Sequence, residues 1–289
     1  MVLDSSSGDD STLRLLMQQW QGGGNRPTYY LGAQLLAWPA PPSGAAFEEV
    51  PIDLDIEGLD VEQGIFAREV VLKQARAARH ILEERRPERV VVFGGECSVD
   101  LAPFAYLNER YDGDLALLWL DAHPDAAWPM GDDRNVNFHS MVLTALLGIG
   151  DPAFVAEVTQ PVDPTRVMYI GLRAALDELD NLQAQFGHSL PNIPVAQVEQ
   201  DSSMVLSWLR DSGVSRVAVH FDLDVLDPVH FGSTFFHEPN GLRPETTVRL
   251  LTDVAREFDV VGLGITEYAP RDAVLLADML KHLPVVGGE

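Results

Sequence analysis

Residues 115–125 read LALLWLDAHPD, an apolar run that ends abruptly in acidic residues and a histidine. A continuous apolar run of this length is typical of a strand covered on both faces, as in a parallel sheet. Similar runs occur at residues 89–93, 166–170, 216–221 and 260–265. Between the runs, residues 61–84 and 204–210 show apolar side chains at helical spacing. Strands and helices are therefore predicted to alternate along the chain.

This alternation predicts an α/β fold, a three-layer sandwich with a central, mostly parallel β-sheet flanked by helices. With 289 residues, 46% of them hydrophobic, the chain can bury a large core as one domain. We expect residues 1–12, rich in Ser and Asp, to be disordered and residues 13–289 to form that domain. The Gly-rich stretch 22–25 and the Pro-rich stretch 39–42 are predicted to be surface loops.

Composition excludes several classes of function. The 44 acidic residues exceed the 20 basic ones and give a net charge of −24, which repels nucleic acids and anionic membranes. No apolar run approaches the roughly 20 residues that span a bilayer, and residues 1–12 lack the order of a signal peptide. The single cysteine, Cys97, permits no intrachain disulfide. The sequence thus predicts a cytoplasmic protein without nucleic-acid or membrane partners.

Potential metal ligands follow the apolar runs. Asp121, His123 and Asp125 alternate, so an extended backbone would project them to one side, and Asp222 and Asp224 repeat this spacing. A single acid at a strand end is more often a turn former or a helix cap. Several buried carboxylates at one sheet edge, however, are costly unless a cation compensates them. Carboxylates with an imidazole suit Mn²⁺, Mg²⁺ or Zn²⁺, and a pair of such ions can activate water.

The complete motif series resembles that of the arginase, agmatinase and formiminoglutamase (ureohydrolase) superfamily. The motifs are GGECS at 94–98, DAHPD at 121–125, NFHSM at 137–141, FDLDVLDP at 221–228 and Glu267. The resemblance implies a parallel-sheet hydrolase, usually a homo-oligomer, with two Mn²⁺ ions that activate water. It also implies a small cationic substrate, whose guanidino or formimino carbon the water attacks.

The resemblance further implies a role for each matching residue. Two carboxylates bridge both metals, and two more side chains complete each site. The bridging ligands are Asp121 and Asp222, the first site adds Cys97 and Asp125, and the second site adds His123 and Asp224. His139 occupies the position of a proton shuttle, and Glu267 that of a carboxylate facing the cationic group of the substrate. For His139 alone, a plain loop or helix-start histidine is the alternative.

Cys97 is the main departure from the family pattern, which has a metal-binding histidine at this position, and Glu96 replaces the usual Asp. Cys97 can be a thiolate ligand, can leave the metal position weak or empty, or can be an inert buried thiol. A thiolate would shift the preference from Mn²⁺ towards Zn²⁺ or Fe²⁺. Relatives with a cysteine here act on N-hydroxylated arginine, which makes an N-hydroxy-guanidino compound a candidate substrate.

Substrate contacts are less specific in the sequence. The candidates are Asn137, Arg173, which either binds a carboxylate of the substrate or pairs with a structural acid, and His237. Arginases carry acids for the substrate's α-amino group shortly after the Gly-Leu-Arg strand end, where this chain has alanines, so ordinary L-arginine is disfavoured. Asp177 and Glu178 are near enough to replace those acids, although acids are also common at a helix start.

Two other functions compete with this interpretation. The run after residue 221 resembles the nucleophile motif of haloacid-dehalogenase-type phosphatases, but it comes late in the chain and leaves DAHPD without a role. The second alternative is a metal-binding relative whose catalysis has lapsed, with Cys97 as its signature. His220, inside the run 216–221, is predicted to be a packing residue of its strand.

Overall fold

The computed structural model, which describes residues 11–55, 59–127 and 136–287, contains a central sheet of eight strands. The strands of the described residues, in chain order, are β1 (Thr12–Met17), β2 (Ala46–Glu49), β3 (Val61–Glu62), β4 (Ile65–Phe66), β5 (Arg89–Gly94), β6 (Ala116–Leu120), β7 (Val167–Ile170), β8 (Asn192–Ile193), β9 (Arg216–Asp222) and β10 (Asp259–Thr266). Of these, β3 and β4 form a separate pair outside the central sheet. The central sheet has the order β2-β1-β5-β10-β9-β6-β7-β8, and every neighbouring pair is parallel.

Helices connect the strands. They are α1 (Thr28–Ala37), α2 (Arg68–Arg85), α3 (Leu101–Arg110), α4 (Val142–Leu146), α5 (Pro152–Val155), α6 (Leu176–Phe186), α7 (Val195–Val198), α8 (Ser203–Ser212), α9 (Pro244–Glu257) and α10 (Ala273–Leu280). Short 3₁₀ turns lie at Gln21–Gly23, Cys97–Asp100, Phe138–Met141, Pro164–Arg166 and Leu223–Val225. None of the helices in the described ranges is long and apolar enough to cross a membrane.

The sheet is covered on both faces. Along β5, Val90 and Val92 pack in one hydrophobic core with α2 and α3, whereas Val91 and Phe93 pack in a second core with α1, α8, α9 and α10. This alternation is expected because successive side chains of a strand point to opposite faces. The two cores confirm the predicted three-layer α/β sandwich.

The five predicted strands match β5, β6, β7, β9 and β10 to within a residue at each end, but the helix predicted over residues 61–84 was wrong at its start. Residues 61–66 instead form the antiparallel hairpin of β3 and β4, and the helix α2 begins at Arg68. Gln63 and Gly64 both have positive φ, 52° and 81°, as a two-residue hairpin turn requires. The hairpin turn at these two residues therefore decided the local structure, although the apolar residues around it have helical spacing.

Only the last two residues of the segment predicted to be disordered, residues 1–12, are described by the structure. Residues 1–10 of the segment expected to be disordered lie outside the described residues. Thr12, its last residue, begins β1, which is buried and pairs with β2 on one side and β5 on the other.

The strand order decides where the motifs meet. The strands β5, β10, β9 and β6 are consecutive in the sheet, and each is followed directly by one of the motifs. Because all four strands run in the same direction, their carboxyl ends lie at one edge. The topology therefore brings the segments 94–98, 121–125, 222–224 and residue 267 together.

Candidate metal centre

A small acidic cavity lies at this edge of the sheet. Its volume is about 100 Å³, which suits the head group of a small molecule better than a whole drug-sized ligand. The cavity is lined by Cys97, His123, Asp125, His139, Ser140, Ala175, Glu178, Asp222, Asp224, Phe236 and Glu267. Seven of the eight residues predicted as metal ligands or catalytic groups thus line it, and the eighth, Asp121, belongs to the donor groups described next.

Two groups of potential ligand atoms share Asp121. The first donor group comprises Cys97, Asp121, Asp125 and His220, and the second donor group comprises Asp121, His123 and Asp224. Within each group the donor atoms lie within 4.8 Å of one another. A shared carboxylate between two adjacent donor groups is the arrangement that a bridged pair of ions needs.

The second donor group is held by the backbone around it. His123 Nδ1 lies 3.0 Å from Asp224 Oδ2 and 3.5 Å from Asp121 Oδ1. Asp224 Oδ1 accepts a hydrogen bond from the Ala122 amide at 3.1 Å, and Asp121 Oδ1 accepts one from the His123 amide at 2.6 Å. These bonds fix each carboxylate through its Oδ1, and Asp224 Oδ2 faces the imidazole of His123.

Asp222 lies between the groups. Its Oδ1 accepts a hydrogen bond from the Asp224 amide at 2.7 Å, and its Oδ2 accepts one from the Cys97 thiol at 3.1 Å. The surrounding carboxylates and the complete burial of Cys97 raise the pKa of its thiol well above the ordinary value. In the metal-free chain Cys97 is therefore a neutral hydrogen-bond donor.

Backbone strain marks two of these positions. Asp125 and Glu267 adopt left-handed backbone conformations, with φ of 48° and 65°. Such conformations cost on the order of 1–3 kcal/mol in residues other than glycine and persist where the surroundings enforce them. Here the Glu267 amide donates to the carbonyl of Gly95 at 3.0 Å, and the Asp125 carbonyl accepts from the amide of Leu143 at 3.2 Å.

The buried carboxylates repel one another strongly. Burial and the neighbouring charges raise the pKa of Asp125 and Asp222 well above the ordinary value, and burial together with Asp224 raises that of Asp121 to about 6. Among the described residues, no hydrogen bond reaches Oδ2 of Asp121 or of Asp125, and both atoms are buried. Divalent ions would occupy these oxygens and neutralise the charge, so the donor set fits a metal pair.

The metal-free protein is expected to lose stability as the pH rises from about 5 to about 8. Asp121, Asp125 and Asp222 have raised pKa values in the folded chain, so the folded state binds more protons than the unfolded state above pH ~4, and stability falls as those protons leave. Thermal melts of chelator-treated protein measure this slope.

A matched variant separates this effect from the repulsion of the whole acidic surface. Asp125→Asn should flatten the slope, because it removes one of the carboxylates whose pKa is raised in the folded chain. Mn²⁺ should restore more stability at pH ~8 than at pH ~5, since metal ions compete with protons for the same groups. A melting temperature that rises with pH in the metal-free protein would contradict the prediction.

His139 and Glu267 both line the cavity and lie beside each other. His139 Nδ1 lies 3.4 Å from Glu267 Oε1. Burial lowers the pKa of His139, but the contact with Glu267 outweighs burial and raises it. Glu267 Oε2 accepts a hydrogen bond from the hydroxyl of Tyr29 on α1. No local sequence pattern marks Tyr29, which is 238 residues away from its partner.

Comparison with known proteins shows which family this chain belongs to. The sequence model of the arginase family matches residues 40–274. The chain belongs to the arginase family. The match covers all the motifs named above and removes the haloacid-dehalogenase alternative.

Individual members of the arginase family are distant. An arginase from Eremothecium gossypii is 27% identical over 210 residues, which cover 71% of this chain and 51% of the relative. An N(1)-aminopropylagmatine ureohydrolase from Thermus thermophilus is 29% identical over 234 residues, covering 78% of this chain and 69% of that one. The chain thus spans only about half the length of some of the curated relatives it matches.

The solved arginases share the fold. The Entamoeba histolytica arginase, crystallised with L-ornithine, superposes with a TM-score of 0.81 at 17% identity, covering 94% of this chain and 96% of that one. At this identity the likeness establishes the parallel α/β architecture of the arginase family and nothing finer.

Within this arginase-family chain, the predicted substrate residues have different surroundings. Asn137 precedes the 3₁₀ turn Phe138–Met141, where its carbonyl accepts a hydrogen bond from the Ser140 hydroxyl at 2.8 Å. His237 is exposed and lies 3.2 Å from the carbonyl of Gly232, so it does not line the cavity as we expected. Its neighbour Phe236 lines the cavity instead.

Glu178 and Asp177 also separate. Both lie in the first turn of α6, but Glu178 lines the cavity whereas Asp177 is exposed. Of the two acids that could replace those missing after Arg173, only Glu178 has the position to do so.

Arg173 is engaged by the backbone. Its two terminal nitrogens donate to the carbonyls of Gly171, Val225, Asp224 and Glu238 at distances of 2.7–3.2 Å. Among the described residues, these nitrogens donate to backbone carbonyls and not to a structural acid, which was one of the two predicted partners. This arrangement favours a structural role, in which Arg173 clamps the loop that carries Asp224 to the loop of Glu238.

Arg173→Met is expected to lower the free energy of unfolding by about 3 kcal/mol, because hydrogen bonds from charged groups contribute about 1.5–3 kcal/mol each and the freed carbonyls lose their partner. Chemical denaturation of wild type and variant measures the difference. Arg173→Lys, which keeps the charge but not the fork of donors, should lose most of the same stability. Unchanged stability together with a large rise in KM would instead assign Arg173 to the substrate.

Proposed function

We propose that this chain is a two-metal hydrolase that cleaves a C–N bond of a small cationic guanidino compound. The observation that carries the proposal is the pair of donor groups that share Asp121, with buried carboxylate oxygens that no hydrogen bond from the described residues satisfies. Membership of the arginase family supports it, since relatives are named arginase and ureohydrolase.

The ligand set suits two hard divalent ions, with Mn²⁺ preferred over softer metals because carboxylate oxygens dominate. In this proposal Asp121, Asp125 and Asp222 would hold the first ion, with Cys97 beside them, and Asp121, His123, Asp222 and Asp224 would hold the second. Two ions bound here would supply Lewis acidity and bring the pKa of a shared water towards neutrality.

The chain's own residues orient the substrate and handle protons. Glu267, fixed by Tyr29, offers a carboxylate in the cavity against which a guanidinium group can align. His139, raised in pKa by Glu267, can hold the proton that the leaving amine requires. Phe236 lies near both histidines, with ring centroids 5.5 Å from His123 and 6.0 Å from His139, and helps to exclude water.

The charge of the cavity selects the class of substrate. Besides the proposed metal ligands, its lining carries the carboxylates of Glu178 and Glu267, which favour a cationic head group and disfavour phosphates. A volume of about 100 Å³ admits a guanidino or N-hydroxy-guanidino head, while the remainder of the substrate extends past Glu178.

A turnover assay with a panel of substrates tests the proposal. Purified protein with Mn²⁺ is incubated with guanidino, N-hydroxy-guanidino and formimino compounds, and urea, hydroxyurea, ammonia and formamide are measured. We expect urea or hydroxyurea from guanidines. Formamide or ammonia from formimino compounds alone would move the protein to that branch of the family. Absence of every product with Mn²⁺, Zn²⁺ and Fe²⁺, despite bound metal, would identify a relative without catalysis.

A further inference from the structure

His220 is a buried histidine that none of the family motifs assigns to the metal centre. It lies on β9 two residues before Asp222, so the alternation of a strand puts both side chains on the same face. Its side chain is completely buried, as expected for a packing residue. Unlike a packing residue, however, it offers a ring nitrogen to the first donor group with Cys97, Asp121 and Asp125.

The orientation of the His220 ring is fixed by its neighbours. Nδ1 lies 2.7 Å from Asp100 Oδ2, and the ring stacks on Trp119 with a centroid distance of 3.9 Å and an angle of 15°. Gly264, the register partner of His220 on β10, makes room for the carboxylate, because a Cβ there would lie 1.9 Å from Asp100 Oδ2. Asp100 and Trp119 thus hold the ring and leave Nε2 as its free nitrogen.

The surroundings of Nε2 do not satisfy it. Within the described part of the chain the atom is buried without a hydrogen-bond partner, and it lies 3.8 Å from Asp121 Oδ2, which is also buried there without one. That distance is too long for a hydrogen bond. Two ligands of one ion, each about 2.1 Å from it, lie about 3–4 Å apart. A cation between Nε2 and Asp121 Oδ2 therefore accounts for both unsatisfied atoms.

We propose that His220 is a ligand of the first metal ion and supplies through Nε2 the imidazole that Cys97 does not. Asp100 is then a positioning residue, since histidines that bind metals almost always donate their other ring N–H to a carboxylate or carbonyl. Cys97 remains a thiol that donates to Asp222. The inference rests on the metal pair of the proposed function, but its test requires no turnover.

Mn²⁺ titration of the full chain, with the bound metal counted by elemental analysis, tests this assignment. His220→Asn should weaken binding of one of the two ions by more than about 100-fold and leave the other unchanged, because changes outside the ligand shell typically cost only about 10–100-fold. Asp100→Asn should fall inside that smaller range. The matched control is His188→Asn, an exposed histidine, which should bind both ions as wild type does.

X-ray absorption of the Mn²⁺-loaded protein counts imidazole ligands directly and gives a readout that a packing role would not change. Wild type and His139→Asn should both show two imidazoles for each metal pair, and His220→Asn only one. If His220→Asn does not fold, the wild-type count decides alone.

Two results would overturn the assignment: one imidazole per pair in wild type, or wild-type affinities for both ions in His220→Asn. A wild-type chain that binds no metal would overturn the proposed function itself.

Discussion

Asp222→Asn is expected to reduce turnover at least ~10³-fold and to release one of the two metal ions. Loss of a single uncharged donor to a transition state costs about 10²–10³ in kcat in a well-studied hydrolase, and removal of a bridging carboxylate disturbs both ions at once. Asp222 is almost completely buried at the end of β9 and lies between the two donor groups, so no other carboxylate can move into its place without a change in the strand. Turnover and metal content are measured on the same preparation.

The matched control for this variant is Asp227→Asn, the same isosteric change in the following loop. Asp227 accepts hydrogen bonds from the amides of Val229 and Gly241 at 2.8 and 3.1 Å and does not line the cavity. It should keep both ions and most of the turnover at some cost in stability. If Asp222→Asn retains two ions and turns over within tenfold of Asp227→Asn, Asp222 does not bridge.

The sequence predicted which residues meet at this edge of the sheet where those residues directly follow a strand. Strands that end in Asp121, Asp125, Asp222 and Asp224 could be recognised because each motif follows its strand directly, and the parallel topology then requires the motifs to meet. His220 had the same signal in a weaker form. Its spacing from Asp222 put it on the same face of β9 as that carboxylate, but an imidazole inside an apolar run is more often a packing residue than a ligand.

Other features depended on contacts between distant parts of the chain. Tyr29 reaches Glu267 only because α1 packs against the carboxyl end of the sheet, which no local pattern records. The Gly-rich stretch 22–25 was expected at the surface, yet Gly22 and Gly23 are buried. A Cβ on Gly22 would lie 2.4 Å from Glu96 Oε1, so this glycine serves close packing rather than loop flexibility.

His139→Asn is expected to lower kcat by about 10²–10⁴, the usual contribution of a general acid or base, while both metal ions stay bound. His139 lies 3.4 Å from Glu267, and this carboxylate raises the pKa of the imidazole against the effect of burial. A group with a raised pKa keeps its proton to higher pH than a free histidine. If His139 delivers that proton to the leaving amine, kcat should fall as the pH rises through the raised pKa, and the variant should lose this dependence.

Glu267→Gln tests the physical cause of that pH dependence, because the amide keeps the shape of the side chain but removes the charge that holds the proton on His139. The alkaline fall of kcat should then move to lower pH, and KM for a cationic substrate should rise as well. Exposed His188→Asn should leave the profile unchanged. A His139→Asn enzyme with the wild-type kcat and pH profile would show that the proton reaches the leaving group by another route, and His139 would then be only a residue that lines the cavity.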